Sequence, residues 1–222
     1  MTVEGAPRYS ARLGYVGVDA RRYERRRYGG FRRSLNQRIL MRVLGHGLAG
    51  VAPGSLVLDV PCGTGVLADL FVDRELRCVR ADISPAMLSV AATRPGAVGH
   101  VRADVESPPW RPGTFAAVVS ARFVMLLPPA LRPRVLAGLA ALTIGPLVVT
   151  VCHPYTAKSL SRRLRRAFGF RAKPVDTRRL TRRALEAEAA AAGLRVERVH
   201  WVVPLFSEVW VAVLRPLQRG ES

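Results

Sequence analysis

Residues 57–67 read VLDVPCGTGVL, and this stretch decides the fold. A short apolar run closes on Asp59 and Val60, turns through Gly63 and Gly65, and restarts at Val66 with apolar residues at helical spacing. A strand that stops there and a helix that follows leave backbone N–H groups unpaired at a helix N-terminus, where an anionic group can sit. The stretch is a ligand-binding turn.

The segments downstream repeat the same grammar. Arg77 to Ala81 reads as a second strand closed by Asp82, after which Ser84 caps a helix with Pro85 at its first position. Gly96 ends that helix. Ala97 to Arg102 forms a third strand before Asp104, and Thr114 to Ser120 a fourth. A helix over Leu131–Leu142 and a fifth strand over Leu147–Val151 follow. Strands alternating with helices predict an α/β fold with a parallel, doubly wound sheet. Near the end, Asp176 or Thr177 is expected to cap a helix running to Gly193. The runs Arg195–Val203 and Glu208–Leu214 come too close together for a crossover, so they must be antiparallel.

Upstream of the turn, Asp19 to Tyr28 reads as a basic helix and Phe31 to Leu48 as a longer one. The longer helix carries two apolar stripes, Phe31/Leu35/Ile39/Val43 and Leu40/Leu44/Leu48, which predict cover on much of its circumference. The 222 residues are 49% apolar, enough for one buried core. The expected organisation is a single domain over 1–222. A helical lid over 1–54 precedes a core over 55–152, a basic helical insert over 153–193 and a terminal hairpin over 194–215.

The formal net charge is +19, with an isoelectric point near 11.5, carried by arginine with Lys158 and Lys173 as the only lysines. Such a balance favours acidic partners and says little about fold; arginine in place of lysine, with many alanines, also fits a G+C-rich coding bias. Cys62, Cys78 and Cys152 are odd in number and lie in or beside strands, which fits reduced thiols and a cytoplasmic location, and no metal-binding spacing links them. No apolar signal-peptide core precedes residue 15. Val135 to Cys152 runs 18 residues without a charge, but Gly145 and Pro146 divide it into a helix end and a buried strand, so no transmembrane span is expected.

With these residues in place, the chain resembles the class I S-adenosylmethionine-dependent methyltransferases over about Leu56 to Leu214, and among them the small-molecule, ubiquinone/menaquinone-methyltransferase-like branch. The resemblance implies a Rossmann-like seven-stranded sheet, five parallel strands plus a C-terminal antiparallel hairpin, with S-adenosylmethionine as cofactor. Asp59-Val60-Pro61-Cys62-Gly63-Thr64-Gly65 is similar to the family's first motif, with Pro61 where a glycine is commonest. A nicotinamide-binding Rossmann unit shares the acid after the second strand. The acid immediately before the turn and the closing hairpin favour the methyltransferase.

By that resemblance Gly63 and Gly65 allow close backbone approach, and Asp59 faces the ammonium and sulfonium groups. Asp82 accepts from the ribose hydroxyls, Ile83 and Met87 wall the adenine, and Asp104 with Val105 meets the adenine amino group. Pro61, Cys62 and Ser120 complete the cofactor set. Ser107-Pro108-Pro109-Trp110 matches the signature of amino-group methyltransferases but precedes the fourth strand instead of following it, so it is read as a loop over a packed Trp110. No general base follows the fourth strand, and methyl transfer can rely on in-line positioning. If a proton must leave a hydroxyl, His153 and Tyr155 just past the fifth strand are the candidates. His46, His100 and His200 read as structural.

The arginine runs at 21–33 and 162–183 fall where this family builds its substrate lid, interleaved with Tyr23, Tyr28, Phe31, Phe168 and Phe170. Tyr23, Tyr28 and Phe31, with Arg122 and Phe123 after the fourth strand, are the candidate substrate contacts. The expected acceptor is a small, acidic or lipid-like molecule, such as a quinone precursor, polyketide, sugar-phosphate or lipid intermediate. The alternatives are an RNA methyltransferase using the arginines on phosphates and a noncatalytic partner that keeps the fold. Peripheral membrane contact stays open, as does oligomeric state.

Overall fold

The computed structural model describes Ala20 and residues 31–157 and 179–217, with the side chains of 31–34 excepted. The basic helix expected at 19–28, Tyr23, Tyr28 and the arginines at 162–178 lie outside the described residues. Helix α1 (Phe31–Gly47) leads into β1 (Leu56–Asp59), α2 (Ala68–Val72), β2 (Arg77–Asp82), α3 (Pro85–Ala91) and β3 (Ala97–Arg102). The chain continues through β4 (Ala117–Ser120), a single 3-10 turn (Val124–Leu126), α4 (Arg132–Ala141) and β5 (Leu147–Cys152). It ends with α5 (Arg182–Ala191), β6 (Leu194–Trp201) and β7 (Val209–Pro216).

These strands form one seven-stranded sheet in the order β3-β2-β1-β4-β5-β7-β6. The first five are parallel to one another, and β7 runs antiparallel to both β5 and β6. The closing hairpin thus enters the sheet through its second strand: β7 sits beside β5, and β6 takes the edge. The strand order reverses direction between β1 and β4, the point where a doubly wound sheet opens a crevice beyond its strand ends.

Burial follows from this layering. Strands β4 and β5 are buried at every position, as strands covered on both faces must be. One face meets α4 and α5 through Leu58, Val149, Leu136, Leu139, Leu185 and Leu214. The other meets α1 and α2 through Val57, Val119, Val148, Leu44, Leu48 and Phe71. Helix α1 uses one of its two stripes: Leu40, Leu44 and Leu48 are buried together with Val43, whereas Leu35 is 42% exposed and Ile39 half-buried. The supposed membrane run resolves into α4 and β5, and no helix among the described residues is long and apolar enough to cross a membrane.

Several boundaries move from their expected places. The helix after the glycine turn starts at Ala68 instead of Val66, because residues 61–67 remain in turn conformation. The last helix starts at Arg182, capped by Thr181, whose hydroxyl accepts the Ala184 N–H, and not by Asp176 or Thr177. Strand β4 starts at Ala117; Phe115 forms an isolated bridge to Thr143 instead. Trp110 packs edge-on against Phe115 at 5.5 Å, as the loop reading requires.

Gly145 permits the tight passage from α4 into β5, since a Cβ there would lie 2.1 Å from the Ala116 carbonyl oxygen. A Cβ against a backbone carbonyl cannot be relieved as a contact with a flexible side chain can, and overpacking of this kind costs about 1–3 kcal/mol. Gly145→Ala is expected to lower the thermal midpoint by roughly 2–12 °C, measured by circular dichroism.

Candidate cofactor site

The carboxyl ends of β1, β2 and β4 meet at the strand-order reversal, and the glycine turn fills the space between them. Val60 donates to the Val119 carbonyl and Cys62 to the Ala81 carbonyl, so the turn is stitched to both flanking strands. Gly63 and Gly65 adopt φ of 54° and 69°, the left-handed region that favours glycine. At Gly65 a Cβ would also press on Ala91 at 3.1 Å, so this glycine lets the turn lie directly on the end of α3.

Asp82 fastens the turn. Its Oδ2 accepts the Gly63 N–H at 2.8 Å and its Oδ1 accepts the Ser84 N–H at 2.9 Å. The Gly63 N–H is therefore already committed to Asp82 and is not free for an incoming anion. Each carboxylate oxygen keeps a second lone pair, so the acceptor capacity expected for a vicinal diol survives. Burial raises the Asp82 pKa, opposed by the N–H groups of Ser84, Gly63 and Ile83.

Asp59 is 1% exposed, and its Oδ2 has no hydrogen-bond partner among the described residues. Burial pushes its pKa to about 7, against the nearby Arg80 guanidinium, which lowers it, and with the Asp82 carboxylate, which raises it. Ser120 Oγ at the end of β4 and Thr64 Oγ1 in the turn are likewise buried without a partner. Gln37 of α1 donates to the Val66 carbonyl at 3.3 Å, while its Oε1 is also unpartnered. Buried polar atoms are nearly always satisfied in native proteins. Four orphaned oxygens around one turn fit a polar ligand that carries hydrogen-bond donors, such as an ammonium.

The other expected contacts take different positions. Ile83 is half-buried and Met87 is 2% exposed, so Ile83 is the more open of the two. Asp104 Oδ1 accepts the Glu106 N–H at 3.0 Å in a tight turn after β3, and Val105 is buried beside it. Pro61 is half-buried and Cys62 buried. All three cysteines are free and buried, as expected of reduced thiols, and burial raises the pKa of each.

Among the expected substrate contacts after β4, Arg122 takes φ of 58° and its N–H donates to Thr150 Oγ1, while Phe123 is buried. Phe31 opens α1, with its side chain outside the described residues. His153 is wholly buried, stacked on Trp210 at 4.5 Å and edge-on to Trp201 at 4.6 Å. Its Nδ1 accepts the Tyr155 N–H at 3.1 Å, which occupies the lone pair a general base would use. Burial lowers its pKa, opposed by the Ser207 backbone and the Glu208 carboxylate. That geometry clamps the loop after β5 onto β7. Tyr155 is 45% exposed and is the open member of the pair.

The sequence reading missed Gln37, Thr64, Arg80 and Arg94, each of which touches or braces the turn. Thr64 lies inside the quoted motif and could have been named from it. The others come from distant segments and carry no local signal.

Residues 57–143 match the family model described as a methyltransferase domain. The seven-stranded sheet that contains them is the Rossmann-like methyltransferase fold. The malonyl-[acyl-carrier protein] O-methyltransferase of Serratia marcescens is 36% identical over 73 residues, 32% of this chain and 29% of that protein. The 18S rRNA (guanine-N(7))-methyltransferase of Bos taurus is 40% identical over 72 residues, 32% of this chain and 26% of that protein. The match thus spans less than a third of either curated relative. Among solved structures, magnesium protoporphyrin IX methyltransferase from Synechocystis with bound SAH superposes with a TM-score of 0.71 at 17% identity, over 93% of this chain and 98% of that one.

An acid whose folded pKa is raised keeps the fold most stable while protonated, and that advantage is lost as pH climbs from its unfolded value toward the folded one. With 3.8 as the ordinary value and about 7 in the fold, Asp59 should reduce stability progressively between those limits. Urea midpoints measured from pH 4.5 to 7.5 should fall less steeply in Asp59→Asn than in the wild type, with the two curves diverging as pH rises.

Proposed function

We propose that this chain is an S-adenosylmethionine-dependent methyltransferase whose acceptor is a small molecule, acidic or lipid-like, in the manner of the quinone-methyltransferase branch. The observation that carries the reading is the buried Asp59 carboxylate with an orphaned oxygen, set at the strand-order reversal beside a glycine turn pinned by Asp82. The match of residues 57–143 to a methyltransferase domain supports it. Asp59, Asp82, Ile83, Asp104 and the turn over 61–65 would hold the cofactor, with Met87 and Val105 behind them and Ser120 at the edge.

Bound there, S-adenosylmethionine supplies an electrophilic methyl group on a sulfonium centre. The chain then has to orient the acceptor in line and keep water away, and such positioning accounts for much of a group-transfer acceleration. Asp59, ionised opposite a cation, anchors the amino-acid end. Arg122 and Phe123 after β4, and Tyr155 after β5, stand at the same edge of the sheet and define the acceptor side. His153 holds the Tyr155 loop in place through its Nδ1, and the exposed Tyr155 phenol would orient an acceptor hydroxyl by a hydrogen bond.

RNA methylation is the second reading, favoured by the rRNA methyltransferase among the relatives and by the net charge of +19. The two separate by experiment. Isothermal titration should detect S-adenosylhomocysteine binding to the wild type, and Asp82→Ala, which frees the Gly63 N–H and loosens the turn, should weaken it at least about tenfold. Labelled S-adenosylmethionine with metabolite extracts should mark a small product. Salt-steep RNA binding in a filter assay, coupled to methyl incorporation into RNA, would instead establish the second reading.

A further inference from the structure

Arg80 is an arginine in the middle of a parallel sheet with none of its surface exposed. Arginine is seldom fully buried without a partner, because desolvating the guanidinium costs several kcal/mol. No carboxylate within ion-pair distance compensates it among the described residues. Its Nη1 instead donates to the carbonyls of Ala91 and Arg94, each at 3.0 Å, and its Nη2 to the carbonyl of Pro95 at 2.5 Å. Three backbone oxygens at the end of α3 are thereby gathered on one side chain, where the carbonyl end of a helix favours a cation.

That same end of α3 carries the glycine turn. Gly65 lies against Ala91, leaving only 3.1 Å for a Cβ, and Arg94 Nε donates to the Thr64 carbonyl at 2.9 Å. The register of β1 and β2 pairs Asp59 with Arg80, so the two side chains project from neighbouring strands on the same face. The groups that bear on Asp59 are Arg80, which favours its ionised form, and Asp82, which opposes it. The thiols of Cys62 and Cys78 lie within electrostatic reach of the same carboxylate and stay protonated.

We propose that Arg80 is a positioning residue for the cofactor site: its guanidinium fastens the segment 91–95 on which the glycine turn rests, and its buried charge faces Asp59 across the strand pair. The role rests on the cofactor reading above for its function, though the bracing itself does not. One residue thereby links the shape of the turn to the charge beside it. A neutral side chain at position 80 would lose both effects. Lysine would keep the charge and lose the planar fork that reaches three carbonyls at once.

Titration calorimetry with S-adenosylhomocysteine from pH 5.5 to 8.5 tests the charge. The wild type should bind more tightly as pH rises through about 7, where Asp59 ionises to meet the ligand ammonium. Arg80→Met should shift that midpoint upward by about one pH unit, and Arg80→Lys should leave it nearly in place while weakening binding about tenfold at pH 7.5. Hydrogen exchange on the unliganded protein tests the brace. Amides of residues 62–67 should exchange faster in both Arg80→Lys and Arg94→Met than in the wild type. A folded Arg80→Met with an unchanged midpoint, or an Arg94→Met with unchanged exchange in the turn, would overturn the corresponding half of the proposal. If Arg80→Met does not fold, an Arg80→Lys that matches the wild type in affinity and exchange would overturn it as well. Absence of any binding by the wild type would sink the cofactor reading, while exchange would still decide the brace.

Discussion

The hydrogen bond from the Gly63 N–H to Asp82 Oδ2 joins the two halves of the site. It adds a side-chain tie to the backbone bonds that Val60 and Cys62 make with the flanking strands. With it, the turn is held to the end of β2, and the left-handed φ angles at Gly63 and Gly65 become the economical way to pass from strand to helix. The Cys62 N–H to Ala81 carbonyl bond runs parallel to it, so β1 and β2 continue their pairing through the turn itself. A carboxylate at this place has a structural duty before any ligand arrives.

Around that bond the interior holds more charge than its size would suggest. Asp59, Asp82, Arg80 and Arg132 are all buried, and each is handled differently. Asp82 is satisfied by backbone donors. Arg80 gives its Nη1 and Nη2 to backbone acceptors, while its Nε has no partner among the described residues. Arg132 donates to the Leu127 carbonyl and meets Glu188 at 3.1 Å, tying α4 to α5. Asp59 alone keeps an orphaned carboxylate oxygen, and its pKa near 7 is the electrostatic mark of that position. Uncompensated burial is costly, and a carboxylate left in that state at a strand end is where a cation would recover the most free energy.

The region beyond β5 is organised by packing instead of charge. His153, Tyr155, Trp201 and Trp210 come from the loop after β5, from β6 and from β7, and they assemble because β7 inserts between β5 and β6. In the sequence these residues lie up to dozens of positions apart and form no motif. The buried histidine, whose place after a strand suggested proton transfer, spends its Nδ1 on the backbone of Tyr155. Its chemistry is fixed by the two tryptophans around it more than by its position along the chain.

The sequence by itself determined the alternation of strands and helices, the glycine turn, and the acids at 59, 82 and 104, because each depends on local signals: apolar period, capping residues, glycine at positive φ. It also settled that the last two strands run antiparallel, since the connection is too short for anything else. Only the tertiary structure decided that β7 and not β6 adjoins β5, that α1 buries one stripe of its two, and that the Gly63 N–H is spent within the protein. It alone placed Arg80, Arg94 and Gln37 against a turn from which the sequence separates them. Those outcomes depend on which surfaces meet across the sheet, and contacts between distant segments leave no period or spacing in the chain to be read.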